Sequence, residues 1–211
     1  DTNGGTFPLD VFEITKKVVN MFPNAMIGIH CHNDNGMAVA NSIMAVNAGA
    51  KQVQGTINGI GERCGNANLC TIIPNLQIKL DYECIPDEKL KELTPTARFI
   101  SEIANVIFDE RSPYVGGNAF AHKGGMHIDA VYKNPVSFEH INPELVGNSR
   151  RILMSEVSGR STILQKINEV DPALTKDSPE TKLIINKLKE LEYEGYQFEG
   201  AESSFELVIR K

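Results

Sequence analysis

The sequence predicts an α/β fold in which residues 1–80 form βα units and the remainder of the chain is mostly helical. The main observation is a change in apolar periodicity along the chain. Residues 8–21 carry apolar side chains at helical spacing, and residues 26–30 form a short apolar run typical of a buried strand. The same order of helix and strand then repeats, which is the pattern of a parallel sheet or a barrel.

The individual elements follow from this periodicity and from the residues that end them. In chain order, the predicted elements are a helix at 8–21, a strand at 26–30, a helix at 37–48, a strand at 52–57 and a helix at 66–80. Pro8 stands at a first-turn position, and Gly49 is suited to end a helix in a left-handed conformation. Pro74 is expected to kink or bound the last helix, because proline lacks an amide hydrogen.

The second part of the chain is expected to be helical. The predicted elements there are a short helix of acidic and basic residues, a helix at 96–108 that begins after Thr94 and Pro95, and tail elements at 161–170, 179–193 and 203–211. The predicted domains are βα units at 1–80, a linker and helical subdomain at 81–150, and a second helical subdomain at 151–211. The chain opens on the loop-like segment 1–5 with no strand before it, whereas an eight-unit TIM barrel needs about 250 residues. We therefore expect the C-terminal portion of a TIM (β/α)8 barrel followed by helical subdomains.

Composition and charge argue against several classes of function. The net charge is -6, and no cluster of basic residues is longer than two, so nucleic-acid binding is not expected. Apolar runs are far shorter than the roughly 20 residues that cross a bilayer, so we expect no membrane partner and a cytoplasmic protein. The four cysteines are irregularly spaced and are expected to be reduced and mostly buried. Cys64 and Cys70 lack the second pair that a structural zinc site needs.

Two histidines stand at the end of the first predicted strand, in the stretch "GIHCHNDNG". On a strand, residues i and i+2 point to the same face about 6.5 Å apart, so His30 and His32 are able to direct two imidazoles at one metal ion. Active sites of parallel barrels gather where strands end, which places this pair at the mouth of the site. The structural alternative is one packed histidine and one helix cap. A catalytic metal also needs a third ligand; Asp34 is expected to point elsewhere, so that ligand is expected from outside this chain.

Two further stretches carry candidate groups. Gly59, Gly61 and Gly65 lie in the loop after the second strand, where glycine permits close approach of the backbone and Asn66 is placed to open the next helix. The structural alternative is a tight turn with Glu62 and Arg63 as a solvated ion pair, and the spacing is not a dinucleotide fingerprint. In "AHKGGMHIDAV", His127 is a candidate proton-transfer residue whose pKa the carboxylate of Asp129 would adjust. A histidine with a purely structural role, hydrogen-bonded within the fold, is the simpler interpretation.

The combination of these stretches resembles a known family. The phrase "GIHCHNDNGMAVANSIMAVNAGAKQVQGTINGIGERCGNANL" resembles a signature of the 2-isopropylmalate, homocitrate and citramalate synthases, DRE-TIM metallolyases that condense acetyl-CoA with a 2-oxo acid. The resemblance continues through "DTNGGTFP", "AHKGGMHIDAV" and "INPELVGNSRRILMSEVSGRST", and these phrases look most like the citramalate branch. It implies an acyltransferase of branched-chain amino-acid biosynthesis, with acetyl-CoA as co-substrate and a catalytic divalent metal, which is zinc, magnesium or manganese.

The resemblance also implies roles for individual residues. His30 and His32 resemble the two imidazole ligands of the metal, and Asn66 resembles the residue that approaches it from the next loop. Glu62 belongs to the same shell of metal and substrate. Thr2 matches a strand-end threonine that binds the carboxylate of the 2-oxo acid. Finally, His127 matches a histidine that assists acid-base chemistry from the neighbouring subunit of a domain-swapped homodimer.

This sequence departs from the family pattern in two ways. The aspartate and arginine of the "DRE" motif belong to a first barrel strand that this chain lacks, so the chain by itself is expected to be inactive without the N-terminal half of the barrel. Many relatives carry a catalytic tyrosine where this chain has Phe138, and Tyr132 is the candidate substitute for the missing hydroxyl.

Two other functions remain open from the sequence. A zinc amidohydrolase also places a His-x-His pair at a strand end, but it would carry further histidines on later strands, and the strand that begins at Gln52 has none. A non-catalytic fragment that serves dimerisation or assembly is the second alternative. Pyruvate is the favoured 2-oxo acid, and the substrates of 2-isopropylmalate and homocitrate synthases are the alternatives.

Overall fold

The chain forms two compact units. The computed structural model describes residues 1–123, 125–153, 160–175, 177–196, 198 and 201–210. The first unit comprises Asp1–Ala119 and Pro143–Ser149, and the second comprises Phe120–Asn142 and Arg150–Lys211. These units are defined by packing, and the domain bounds 1–80, 81–150 and 151–211 stay a prediction.

The first unit alternates helices and strands. Its helices and strands are α1 (Pro8–Met21), β1 (Gly28–His30), α2 (Ala38–Asn47), β2 (Gln52–Gln54), α3 (Leu69–Pro74) and α4 (Leu93–Ile103). Shorter helical turns lie at Ile57–Gly59, Asn75–Lys79, Asp87–Glu92 and Pro143–Val146. Strands β1 and β2 pair in parallel, with Ile29 opposite Val53, and α2 forms the connection between them. The mixed α/β class is therefore confirmed.

Several predicted boundaries are correct for local reasons. Helix α1 has the predicted bounds, with Pro8 at its first turn, where the missing amide hydrogen is harmless. Helix α2 stops before Gly49, which has a φ of +109° and thus ends the helix in the conformation that glycine favours.

Other boundaries were wrong. Both strands are shorter than predicted, because the chain turns into the helical segment Ile57–Gly59 soon after β2. The helix predicted at 66–80 begins only at Leu69, where the side chain of Asn68 accepts a hydrogen bond of 2.9 Å from the amide of Cys70. It widens into a π-type turn after Pro74, which has no amide to continue the regular ladder.

Helix α4 was also placed too far along the chain. It runs from Leu93 to Ile103 instead of 96–108, because Pro95 is accommodated within the first turn. The helix ends before Asn105, whose φ of +53° is a left-handed conformation incompatible with further helix.

Small side chains bring the helices of the first unit close to its strands. Helix α1 packs on α2 through a core of Val11, Ala45 and Ala50. The neighbouring cluster consists of the buried residues Cys31, Ala38, Ala67, Ile72 and Leu76. This packing fixes the carboxyl ends of β1 and β2, from which the loops of the candidate site emerge.

The second unit combines a short parallel strand pair with a helical cluster. Its elements are β3 (Ala121–His122), α5 (Gly125–Lys133), β4 (Arg151–Ile152), α6 (Arg160–Val170), α7 (Pro179–Tyr193) and α8 (Glu202–Arg210), with a helical turn at Pro135–Ser137. Its apolar core consists of Ile163, Ile167, Ile185, Leu188, Phe198, Phe205 and Ile209. Helix α7 has the predicted bounds, and α6 and α8 each begin one residue early. Among the helices that the structure describes, none is long and apolar enough to cross a membrane. A cytoplasmic location stays a prediction.

The cysteines are only partly as expected. All four are free thiols, but only Cys31 and Cys70 are buried, while Cys64 and Cys84 are exposed. Burial raises the pKa of the Cys31 and Cys70 thiols, so neither is poised as a nucleophile.

Candidate active site

The two strand-end histidines lie together. His30 is the last residue of β1, and His32 follows in a backbone bridge with Asn66 from the loop after β2. The ring centroids of His30 and His32 are 5.2 Å apart, with an angle of 73° between the ring planes. The structure thus brings together three of the residues that the sequence singled out.

Two polar atoms at this place are buried without a partner. In the described part of the chain, the buried side-chain atoms that lack a hydrogen bond are His32 Nδ1, Asn41 Oδ1 and Asn66 Oδ1. Asn41 differs from the other two, because its amide nitrogen donates to the carbonyl of Thr6 at 2.9 Å. An unsatisfied buried polar atom costs roughly 1 to 3 kcal/mol, so two of them on bridged residues indicate a missing ligand.

The donor types fit a divalent cation. An imidazole nitrogen and a carboxamide oxygen each present a lone pair, and both are ordinary ligands of divalent metals. No group of three or more His, Cys, Asp or Glu side chains able to hold a metal occurs within the described residues. The candidate donors that the structure brings together here are those of His30, His32 and Asn66, and a further ligand from elsewhere stays a prediction.

Glycines allow the loop after β2 to fold onto Asn66. Gly65 has a φ of +91°, and a Cβ atom there would collide with the carbonyl oxygen of Gly59. A Cβ atom on Gly61 would lie 2.6 Å from Nδ2 of Asn66. The amide of Asn66 donates to the Gly59 carbonyl at 2.9 Å. Asn66 is consequently held by the loop and does not cap the next helix, contrary to the sequence prediction; Asn68 does so.

Arg63 ties this loop to the loop after β1. Its Nε and Nη2 atoms donate to the carboxylate of Asp34 at 2.7 and 3.0 Å, and Nη2 also donates to the carbonyl of Thr2 at 3.0 Å. These hydrogen bonds hold the pKa of Asp34 below its usual range. The Asp34 carboxylate is therefore directed to Arg63. The sequence did not predict Asp34 to be a metal ligand. The solvated ion pair of the structural alternative is present, with Arg63 Nη1 3.7 Å from the Glu62 carboxylate and the Glu62 side chain 79% exposed.

An open cleft adjoins these loops. It has a volume of 790 Å³ and is lined by Asp1, Thr2, Asn3, Thr6, Asp34 and Arg63. Thr2 is exposed at this cleft, and the backbone carbonyl of Asp1 accepts a hydrogen bond of 3.2 Å from the amide of His32. The threonine predicted to bind a carboxylate therefore belongs to the segment that touches the strand-end histidines.

The remaining predicted residues belong to the second unit. His127 lies on α5 and is exposed, and its ring stacks on Phe138 with the centroids 4.4 Å apart and an interplanar angle of 27°. Asp129 was expected to tune His127, but its carboxylate accepts a hydrogen bond of 2.6 Å from Lys133. Tyr132 is half-exposed on the same helix.

Sequence reasoning missed a buried ionic cluster in the second unit. Glu139 is only 4% exposed, and its two carboxylate oxygens each accept a hydrogen bond of 2.6 Å from Arg150. His122, also buried, lies 3.0 Å from the first of these oxygens. The hydrogen bonds from Arg150 lower the pKa of Glu139, burial opposes them, and His122 adds to the lowering. No local signal in the sequence connects these residues.

The comparisons with known proteins give two family matches along the chain. Residues 1–100 match the model of the HMGL-like family, and residues 114–195 match the homocitrate synthase post-HMGL domain-like family. The first match includes the strand-end histidines and favours similarity to this family over the amidohydrolase alternative.

Individual relatives narrow the comparison. The chain is 59% identical over its whole length to an (R)-citramalate synthase of Aquifex aeolicus and 56% identical to one of Synechocystis. It is 41% identical, over 84% of its length, to a 2-isopropylmalate synthase of Bacillus cereus, of which it covers 36%. The chain spans about 40% of the length of the two citramalate synthases.

Proposed function

We propose that this chain is part of an acyltransferase that condenses acetyl-CoA with a 2-oxo acid, and that the 2-oxo acid is pyruvate and the product citramalate. The observation that carries the proposal is the pair of unsatisfied buried atoms, His32 Nδ1 and Asn66 Oδ1, beside the ring of His30. Similarity to curated citramalate synthases over the whole chain supports the choice of reaction.

The first unit would hold the metal and the 2-oxo acid. His30, His32 and Asn66 are the proposed metal ligands, and a bound divalent metal would supply Lewis-acid polarisation of the keto group. The two imidazoles suit zinc, whereas the carboxamide oxygen suits magnesium or manganese, so all three metals remain candidates. Thr2 would bind the substrate carboxylate at the cleft. Glu62 is a proposed member of the same shell, although its exposed side chain would have to turn inward to reach it.

Acid-base chemistry is assigned to the second unit. In the proposed reaction a base removes a proton from the methyl group of acetyl-CoA, the resulting enolate attacks the keto carbon, and water cleaves the thioester. His127 is the proposed proton-transfer residue, because its imidazole is exposed on α5 and is able to exchange a proton with a substrate. Tyr132 is retained as the candidate hydroxyl in place of the tyrosine that relatives carry at position 138.

The architecture of the whole protein is part of the proposal. Residues 1–80 would be the last βα units of a TIM barrel, whose N-terminal half would contribute the remaining metal ligand. The helical subdomains would exchange between the subunits of a homodimer, so that His127 serves the neighbouring barrel. The parallel pairing of β1 with β2 supports the barrel part of this arrangement.

Metal content and product release in the full-length protein test the proposal together. The wild type is expected to bind one divalent ion per subunit and to release free CoA with pyruvate faster than with 2-oxoisovalerate or 2-oxoglutarate. His32→Asn should lose both metal and activity. His127→Asn is the matched control, because it should lose activity and keep the metal. A wild type that releases no CoA with any small 2-oxo acid would support the assembly alternative instead.

A further inference from the structure

We propose that Phe138 is a positioning residue that fixes the ring plane of His127, and that the buried carboxylate of Glu139 holds Phe138 in place. This proposal rests on the proposed function, in which His127 transfers a proton. It gives a role to the ring at a position where the family comparison alone suggests a lost hydroxyl.

The contact between the two rings is a stacked one. Their centroids are 4.4 Å apart and their planes differ by 27°, so Phe138 covers one face of the imidazole. The hydrogen bonds of an imidazole lie in the plane of its ring, at Nδ1 and Nε2. A partner on the face therefore restricts the orientation of His127 without occupying either nitrogen, which suits a residue that must exchange a proton with a substrate.

Phe138 is not held by its own burial. Its side chain is 48% exposed, and a half-exposed phenylalanine gains too little from packing to define one orientation. Its backbone is better fixed, because the turn Pro135–Ser137 directs the amides of Phe138 and Glu139 to the carbonyl of Pro135 at 3.1 and 2.9 Å. The amide of Asn134 donates to the carbonyl of Ala130 on α5 at 2.7 Å, which joins this turn to the helix that carries His127.

The side chain of Glu139 completes the anchor. The residue directly after Phe138 is buried, and its carboxylate receives the Arg150 guanidinium at both oxygens and His122 at one of them. Charge-assisted hydrogen bonds with two donors to one carboxylate fix its position more tightly than a neutral contact would. Because the anchored carboxylate restrains the backbone of the adjacent residue, it confines the direction in which the Phe138 side chain leaves the turn.

The partners of Glu139 lie on rigid elements. His122 is the last residue of β3, and its carbonyl accepts a hydrogen bond of 2.9 Å from Leu153. Arg150 directly precedes β4, which pairs in parallel with β3. A continuous path of paired backbone, charged hydrogen bonds and stacked rings therefore leads from the strand pair to the imidazole of His127.

Kinetics of the full-length enzyme separate positioning from mere folding. Phe138→Leu keeps an apolar side chain but removes the flat ring, and it should lower kcat by about tenfold or more while leaving KM for the 2-oxo acid within about twofold. Phe138→Tyr keeps the ring and should retain kcat within about threefold. Val136→Ala is the matched control in the same turn, since Val136 is 80% exposed, and it should change neither constant.

The His127 ring gives a readout that does not depend on catalysis. In protein labelled with carbon-13 at His Cε1, the His127 signal, assigned by its loss in His127→Asn, should carry a ring-current shift from Phe138. Phe138→Leu should abolish this shift and Glu139→Gln should reduce it, while Phe138→Tyr should preserve it. Thermal unfolding of each variant identifies any that fails to fold, and the mild Phe138→Leu change then decides the question.

The outcomes distinguish two kinds of failure. Wild-type kcat in Phe138→Leu, or an unchanged His127 signal in both Phe138→Leu and Glu139→Gln, would overturn the positioning role. Absence of CoA release from the wild type would instead overturn the proposed function, and the spectroscopic arm would still decide whether Phe138 and Glu139 orient the ring.

Discussion

The two units differ in whether their buried polar groups have hydrogen-bond partners. At the ends of the strands in the first unit, His32 Nδ1 and Asn66 Oδ1 are buried without partners. In the second unit, Glu139 is equally inaccessible, yet both of its oxygens accept hydrogen bonds from charged or ionisable donors. The difference teaches how to assign such groups: two unsatisfied atoms on bridged residues mark a place for a ligand, whereas a satisfied cluster marks an anchor that holds other residues.

The largest effect should come from breaking the satisfied cluster. Glu139→Ala leaves the Arg150 guanidinium without its carboxylate, so the free energy of unfolding should fall by about 3 kcal/mol, the low end of the range because Arg150 is partly exposed. Chemical denaturation of the full-length protein measures the loss. Asp129→Ala is the control, because its ion pair with Lys133 is exposed and should contribute less than about 0.5 kcal/mol. Equal losses in the two variants would contradict the anchor.

A smaller loss of stability is expected from distorting the strand-end site of His32 and Asn66. Gly65→Ala adds a Cβ atom that collides with the Gly59 carbonyl at a φ of +91°, which should cost about 2 kcal/mol and displace Asn66. Metal affinity should fall together with stability. Gly36→Ala is the matched control, because Gly36 has a φ of +76° but open space around its Cβ position, and only the backbone strain of about 1 kcal/mol should remain. Metal titration should show no change in that control.

The pH dependence of stability should also distinguish the clusters. The pKa of Glu139 is lowered in the folded state, so its ionised form stabilises the protein above the unfolded value of about 4.3. That contribution is lost as the pH falls below this value and through the folded pKa. Glu139→Gln should therefore flatten the decline of unfolding free energy below about pH 4.3. A decline as steep as in the wild type would show that other carboxylates cause the acid sensitivity.

The sequence predicted the parts of this comparison that depend on local rules. The helix from Pro8 to Met21, the stop at Gly49 and the convergence of His30 with His32 follow from periodicity, from the conformational freedom of glycine and from the pleat of a strand. Each involves residues close together in the chain.

The parts that sequence reasoning missed depend on residues far apart in the chain. The pairing of Arg63 with Asp34 spans 29 positions, and that of Glu139 with His122 spans 17. Neither pair has the spacing of a helix face or a strand face, so only the folded loops bring the partners together. The wrong bounds of α3 and α4 have a different origin. Asn68 caps α3 later than predicted and Pro74 interrupts it, whereas α4 accommodates Pro95 in its first turn and ends before Asn105.

Ligand-dependent stability of the full-length protein tests the central distinction most directly. Thermal unfolding would be followed with and without added divalent metal for the wild type, for Asn66→Leu and for Glu139→Gln. A ligand that binds only the folded state raises Tm, so metal should raise the Tm of the wild type and of Glu139→Gln. Asn66→Leu should keep or slightly raise the metal-free Tm, because it removes an unsatisfied carbonyl oxygen, and its response to metal should be much weaker. An equal rise in Tm for Asn66→Leu and the wild type would contradict the assignment of the strand-end cluster as the metal site.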